Sequence, residues 1–270
     1  MFVNIYIALA LAADAVICAL GGVLKSAVDI WKPIIYFLCL FFGLVALHII
    51  VTLIISLFIN KKKECQRPNK LCRYWVYRTI EMVLDLARVR IIVTGGDMIP
   101  TDRRFLLVSN HRSNIDPLIC IVKLYINEIA FVSKPENFKI PIVGAFAHKC
   151  CYLPIDRENA RKAMKTIHRA TDFVKSDITS VGIYPEGTRS KNGKMLEFKD
   201  GVFYICKKAP CPVVVTTVQN TEKICKNFPF KKTEVKLDIL GVIEPEEFAD
   251  CSTHELSERV RDMMLKHLGQ

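Results

Sequence analysis

The segment Ser109-Asn110-His111-Arg112-Ser113-Asn114-Ile115-Asp116-Pro117 lies between two apolar runs and decides the expected fold. Residues 105–108 form an apolar run of strand length, and the mostly apolar residues 118–125 have the length of a short helix. The pattern predicts a strand, a polar turn and a helix. On a regular helix with ~100° per residue, His111 and Asp116 would lie ~140° apart, so they meet only if the turn folds them together.

Two interpretations of His111 and Asp116 stay open on this segment alone. If Asp116 accepts a hydrogen bond from one ring nitrogen of His111, it fixes the tautomer, and the other nitrogen is free to take a proton. His111 is then a candidate general base. The structural alternative is a helix start, with Asp116 as the N-cap and Pro117 at the first helical position.

The charge and cysteine content narrow the class of protein. The chain of 270 residues has 38 basic and 27 acidic residues and a net charge of +11, which suits an anionic surface or substrate. No nucleic-acid recognition motif is present, and nucleic acid is therefore not an expected partner. The 11 cysteines lack zinc-site spacing, so we expect mostly reduced thiols, no disulfide framework and no metal site.

The first 60 residues are expected to anchor the chain in a membrane through two hydrophobic helices. Residues 2–24 are apolar apart from Asn4 and Asp14, and residues 33–59 are almost unbroken. At ~1.5 Å per residue, the second run exceeds the ~30 Å thickness of the hydrocarbon core. An alternative is a helical hairpin that dips into one leaflet without crossing.

Basic residues follow the second hydrophobic run at Lys61, Lys62 and Lys63. By the positive-inside rule they predict that the rest of the chain lies on the cytoplasmic face, with the loop of residues 25–32 outside. Residues 61–90 form a basic amphipathic connector. It is interpreted either as a helix lying on anionic headgroups or as an ordinary domain helix with a solvated basic face.

Strand and helix patterns alternate through residues 91–270. This alternation predicts an α/β domain with a mixed, largely parallel sheet flanked by helices. Helices are expected near residues 135–148, with a break near Pro141, and at residues 158–176 and 201–208. A capping box at residues 252–255 predicts the start of the last helix.

A second polar turn, Tyr184-Pro185-Glu186-Gly187-Thr188-Arg189-Ser190, follows an apolar strand. It is suited to phosphate, because Arg189 offers a planar fork of donors and Gly187 permits close approach, while Glu186 orients Arg189 or holds a substrate hydroxyl. An exposed turn with a local ion pair is the alternative. Arg157, at another strand end, is placed to reach the same phosphate; Lys134 and Lys199 are weaker candidates.

Together these segments resemble the 1-acylglycerol-3-phosphate acyltransferase family of glycerophospholipid acyltransferases. Four blocks carry the likeness: Asn110-His111-Arg112-Ser113-Asn114-Ile115-Asp116 matches N-H-x4-D, Leu153-Pro154-Ile155-Asp156-Arg157 resembles F-I-D-R, Pro185-Glu186-Gly187-Thr188-Arg189-Ser190 matches P-E-G-T-R-S, and Pro212-Val213-Val214-Val215 resembles V-P-hydrophobic. Two departures, Leu153-Pro154 and Val215, put the selection of acyl chain or acceptor in doubt.

The resemblance implies a membrane enzyme that makes phosphatidate. His111, oriented by Asp116, would deprotonate the sn-2 hydroxyl of a lysophosphatidate, which attacks the thioester of acyl-CoA or acyl carrier protein. No cofactor or metal is required. By the same resemblance, the acceptor phosphate would be held by Glu186, Gly187, Thr188 and Arg189, with Arg157 assisting.

Two other functions fit parts of the same sequence. The motifs hardly separate it from acylation of glycerol-3-phosphate at sn-1 or of another lysophospholipid. A membrane-anchored protein that binds anionic lipid without chemistry is the alternative of another class, and it has no need of a paired histidine and aspartate.

Overall fold

The computed structural model describes residues 1–23, 27–61, 63–190 and 193–270. Its N-terminal part is a pair of apolar helices, α1 (Phe2–Leu20) and α2 (Trp31–Leu57), both long and apolar enough to cross a membrane by length and composition. Most of their side chains are exposed. Lys25 and Lys62, which the topology prediction used, lie outside the described residues.

Helix α3 (Lys70–Leu86) joins the helix pair to the domain that follows. Asn69 caps it by accepting a hydrogen bond from the Cys72 amide at 2.9 Å. The buried Leu84 packs in a core shared with the sheet. On its other side α3 contacts α1. These contacts favour the interpretation of α3 as a domain helix over a helix that only lies on headgroups.

A seven-stranded sheet forms the centre of the domain. Its strands are β1 (Val89–Thr94), β2 (Leu106–Ser109), β3 (Ile129–Ser133), β4 (Leu153–Pro154), β5 (Ser180–Ile183), β6 (Val213–Gln219) and β7 (Thr233–Ile243). They are arranged in the order β1-β7-β6-β2-β5-β3-β4. Every neighbouring pair is parallel except β6 and β7. The predicted α/β fold with a mixed, largely parallel sheet is therefore confirmed.

Helices cover both faces of this sheet. They are α4 (Asp116–Lys123), α5 (Val143–Lys149), α6 (Ala160–Lys175), α7 (Tyr204–Lys208), α8 (Ile224–Asn227) and α9 (Thr253–Leu268). Residues of α3, α4 and α8 share a core on one face, and residues of α6, α7 and α9 share a core on the other. The predicted helix at 135–148 is divided at Pro141 into a 3₁₀ turn, Pro135–Lys139, and α5.

One pair of cysteines departs from the expected reduced state. Cys65 and Cys151, which are 86 residues apart in sequence, are joined by a disulfide, whereas mostly reduced thiols without a disulfide framework were expected. Nine other cysteines are free in the part of the chain that the structure describes. The disulfide links the segment between α2 and α3 to the start of β4.

Candidate active site

One edge of the sheet gathers the polar segments that the sequence singled out. Because β2 is parallel to β5 and β6, and β3 is parallel to β4 and β5, the carboxyl ends of these five strands meet at the same edge. The turn with His111 follows β2, the turn with Arg189 follows β5, and Arg157 follows β4. Such an edge is where open α/β sheets bind their ligands.

The first turn brings His111 and Asp116 together. Nδ1 of His111 lies 2.8 Å from Oδ2 of Asp116, and the same oxygen accepts the backbone N–H groups of Arg112 at 2.7 Å and Ser113 at 2.8 Å. Helix α4 begins at Asp116, but its N-cap is Ile115 and no side chain caps it. The carboxylate turns back onto the loop, so Asp116 is not the N-cap that the structural alternative expected.

Asp116 is fully buried and is nevertheless well supplied with donors. Its Oδ1 accepts a hydrogen bond from the hydroxyl of Thr221, just beyond β6. A buried carboxylate stays ionised only when such donors replace its lost hydration. The arrangement therefore holds the carboxyl group of Asp116 directly behind the imidazole.

The imidazole of His111 has a second contact, on the face of its ring. It stacks on the ring of Tyr184 with centroids 4.5 Å apart. Burial raises the pKa of Tyr184 above its ordinary value, so this neighbour stays uncharged. With Nδ1–H directed at Asp116, the lone pair of the imidazole is on Nε2. Within the described ranges, Nε2 makes no hydrogen bond.

Asn110 fixes the start of the same turn against the neighbouring strand. Its Oδ1 accepts the Val218 amide at 2.7 Å, and its Nδ2 donates to the Val218 carbonyl at 3.1 Å. The side chain thus replaces a strand residue in pairing with β6. It sets where β2 ends and the turn with His111 begins.

Glu186 lies behind the loop and is 4 % exposed. Its Oε1 accepts the His111 amide at 2.6 Å, and its Oε2 accepts the Leu196 amide at 2.9 Å. Burial raises the pKa of this carboxyl. Both oxygens are thus bound to backbone donors, and one of these donors is the amide of His111 itself.

The rest of the second turn is open to solvent. Gly187 has φ +68°, and a Cβ there would lie 2.9 Å from Cε of Lys199, so the position favours glycine. Thr188 and Arg189 are exposed. The amide of Ser190 donates to the carbonyl of His111 at 2.9 Å, which fixes this turn beside the first.

Two arginines at this edge lack a partner. Among residues 1–23, 27–61, 63–190 and 193–270, no hydrogen bond or ion pair is formed by the guanidinium of Arg157 or Arg189. Arg157 is half-buried, and burial lowers its pKa. A partly desolvated guanidinium that makes no hydrogen bond or ion pair within the described ranges is suited to an anionic ligand.

Comparison with known proteins agrees with this geometry. A family model described as acyltransferase matches residues 90–219, which contain all four sequence blocks. Over these residues the chain is similar to the acyltransferase family. The 1-acyl-sn-glycerol-3-phosphate acyltransferase of Saccharomyces cerevisiae is 26 % identical over 238 residues, which are 86 % of this chain and 74 % of that protein.

Two further proteins resemble this acyltransferase. The 1-acyl-sn-glycerol-3-phosphate acyltransferase of Borreliella burgdorferi is 27 % identical over 191 residues, covering 70 % of this chain and 76 % of that protein. The crystal structure of the 1-acyl-sn-glycerophosphate acyltransferase of Thermotoga maritima superposes with a TM-score of 0.59 at 23 % identity, over 81 % of this chain and 86 % of that one. That likeness supports the fold.

The acyltransferase site contains residues that sequence reasoning missed. Thr221 lies 105 residues beyond Asp116, and no local pattern links the two. Tyr184 lies at the start of the second turn, and no sequence pattern indicates that its ring stacks on His111. Leu196 contributes a backbone amide, which no side-chain motif reports.

Thr221→Val tests the support of Asp116. The substitution keeps the shape but removes a buried hydroxyl donor to a carboxylate, a bond worth ~1.5–3 kcal/mol. We expect a fall of that size in the free energy of unfolding, and a loss of kcat smaller than that of Asp116→Ala. Chemical denaturation and acyl-transfer kinetics measure the two effects. Unchanged stability and rate would show that the other three donors suffice.

Proposed function

We propose that this acyltransferase transfers an acyl chain from a thioester to the sn-2 hydroxyl of 1-acylglycerol-3-phosphate and so produces phosphatidate. The observation that carries the proposal is the buried Asp116 bound to Nδ1 of His111, at the same sheet edge as Arg157 and Arg189, which form no ion pair with a residue that the structure describes. The names of the relatives from yeast and Borreliella supply the acceptor.

The chemistry begins with a proton transfer to Nε2 of His111. Asp116 holds the neutral tautomer with Nδ1–H toward itself, and its negative charge stabilises the imidazolium that forms. The acceptor oxygen attacks the thioester carbonyl, the C–S bond breaks, and the thiol leaves with the proton that His111 returns. No acyl-enzyme is needed.

The acceptor phosphate is assigned to Arg189 and Arg157. Arg189 is exposed on a turn bound to the backbone of His111, and Arg157 extends the same edge from β4. A guanidinium presents two parallel N–H donors to a phosphate, and each charge-assisted bond is stronger than a neutral one. Gly187 lets the phosphate approach the backbone closely, and Thr188 contributes a hydroxyl.

The same proposal places the enzyme in a membrane, with the catalytic domain on the cytoplasmic face. The support is the exposed apolar surface of α1 and α2 and the lysines Lys61 and Lys63 directly after α2. An acceptor with one acyl chain resides in a bilayer, so an anchored enzyme meets it there.

Thiol release from detergent-solubilised protein tests the function. Acyl-CoA and acyl carrier protein are offered as donors against a panel of lysophosphatidate, glycerol-3-phosphate and lysophospholipids with larger headgroups. We expect release to require a donor and to be fastest with lysophosphatidate. Preference for glycerol-3-phosphate would change the assigned acceptor, and lipid binding without thiol release would replace the enzyme by a binding protein.

Arg157→Ala and Arg189→Ala test the phosphate assignment. Each substitution removes charge-assisted bonds worth ~1.5–3 kcal/mol, which corresponds to roughly 10- to 100-fold in KM for the acceptor. KM for the thioester is expected to change little. Arg161→Ala, an exposed arginine on α6, is the matched control and should leave both constants unchanged. Equal effects on both substrates would contradict the assignment.

A further inference from the structure

The chain carries an aromatic and basic loop outside the catalytic site, at Lys223-Ile224-Cys225-Lys226-Asn227-Phe228-Pro229-Phe230-Lys231-Lys232. We call residues 223–232 the aromatic loop. Phe228 is 54 % exposed and Phe230 is 85 % exposed, although phenylalanine is usually buried. None of the proposed chemistry uses these two rings.

The aromatic loop is held in place by hydrogen bonds of its backbone and of one side chain. The carbonyl of Phe230 accepts a hydrogen bond from the Arg88 guanidinium at 3.0 Å, and the Lys231 amide donates to the Asn227 carbonyl at 2.7 Å. Nδ2 of Asn227 donates to the Thr233 hydroxyl at 2.9 Å. The exposed rings of Phe228 and Phe230 therefore lie on a turn that hydrogen bonds hold in one conformation.

The position of the loop relates it to the N-terminal helix pair. Helix α8 within the loop packs in the same core as α3, on one face of the sheet. Helix α3 contacts α1, and Arg88, which binds the loop, follows directly after α3. The exposed rings and the apolar helix pair are thus on the same side of the sheet.

The loop also starts beside the site. Strand β6 ends at Gln219, and Thr221, which bonds Asp116, lies two residues before the loop begins. The exposed rings are therefore connected to the edge that carries His111 by a few residues of ordered chain.

The charges of the loop fit an anionic surface. Lys223, Lys226, Lys231 and Lys232 are all exposed, and residues 223–232 contain no acidic residue. Aromatic rings beside lysines are typical of segments that bind at the boundary of headgroups and acyl chains, where each lysine adds attraction to anionic lipid. Charge complementarity favours a bilayer over a second copy of this basic chain.

We propose that the aromatic loop is a second membrane contact, in which Phe228 and Phe230 enter the interface of an anionic bilayer and the four lysines bind its headgroups. This inference rests on the membrane attachment stated under the proposed function. Two separate contacts, the helix pair and the loop, fix the rotation of the domain about its anchor. They turn the edge with His111 toward the lipid that supplies the acceptor.

Fluorescence quenching by brominated lipid tests the loop directly. The full-length protein with F230W is reconstituted in vesicles of phosphatidylcholine and phosphatidylglycerol, with bromines placed near the headgroups. F230W adds tryptophan fluorescence to that of Trp31 and Trp75. We expect this added fluorescence to be quenched by the bromines near the headgroups. In the same protein, K231E/K232E should weaken the quenching in anionic vesicles, because each lost lysine lowers the apparent partitioning of the loop by roughly fivefold. In neutral vesicles the two substitutions should leave the quenching unchanged.

The matched control uses the opposite face of the sheet. Met164 on α6 is 39 % exposed, so M164W should add a signal that brominated lipid does not quench, and K162E/K165E should have no effect. If the F230W signal is unquenched, or is quenched no more than that of M164W, the proposal is overturned. Thiol release in detergent reports the proposed chemistry separately, because that assay contains no bilayer, and F228S/F230S should leave its kcat unchanged.

Discussion

Replacing His111 by alanine is expected to lower kcat for acyl transfer by ~10²- to 10⁴-fold, the contribution of a positioned general base. Nε2 is the nitrogen left for the acceptor proton once Nδ1–H is bound to Asp116. Asp116→Ala should cause a loss of similar size, because it leaves the tautomer undefined and removes the charge that stabilises the imidazolium. Thiol release at saturating donor and acceptor measures both.

The chain provides a matched control for this pair. His254 and Asp200 form a similar contact, with Nδ1 3.0 Å from Oδ2, but both lie near the surface and the His254 side chain is 70 % exposed. The neighbouring carboxylate raises the pKa of His254. His254→Ala should keep the wild-type rate. Full activity in His111→Ala, with folding intact, would remove His111 from the role of base.

Much of the fold was predictable because its signals are local. The apolar run at residues 105–108 became β2, and the capping box at Ser252 and Glu255 became the start of α9. The sheet order was not predictable. Strand β7 lies between β1 and β6 and is antiparallel to one of them, and no residue pattern within a strand specifies its neighbour.

The departures from the family motifs illustrate the same limit. The pair Leu153-Pro154 and Val215 raised the question of altered substrate selection. The structure buries Leu153 and Val215, at 2 % and 0 % exposure, in the core that includes α6 and α9, whereas Pro154 is exposed. Leu153 and Val215 therefore pack the domain behind the site, and their difference from the motif acts first on packing.

The contact between His111 and Asp116 was predictable from the sequence, but the hydrogen bonds that surround this pair were not. The spacing of His111 and Asp116 permitted contact only through a folded turn, and the structure has that turn. The surrounding hydrogen bonds, from the Thr221 hydroxyl to Asp116 and from the His111 amide to Glu186, join the turn to segments that follow β6 and β5 and are distant in sequence. Sequence motifs record the residue types but not which backbone groups a carboxylate binds.

Glu186→Ala is expected to lower kcat by a factor comparable to the loss of the base, with little change in KM for the acceptor. The substitution leaves the amides of His111 and Leu196 without their acceptor, and each unsatisfied buried donor costs ~1–3 kcal/mol. The backbone that carries His111 then shifts to find another acceptor, and shifts of ~1 Å at a catalytic group cost roughly 100-fold in rate.

The split between kcat and KM separates this positioning role from a phosphate contact. Glu186→Gln retains one acceptor oxygen, so it should recover part of the rate and part of the unfolding free energy lost in Glu186→Ala. Glu197→Ala, at an exposed carboxylate one residue beyond Leu196, is the control and should behave as wild type. A phosphate ligand at Glu186 would instead show a raised KM for the acceptor at nearly constant kcat. Because Glu186 is buried behind the loop and bound through both oxygens, we expect the first pattern: the carboxylate acts on the reaction only through the placement of His111.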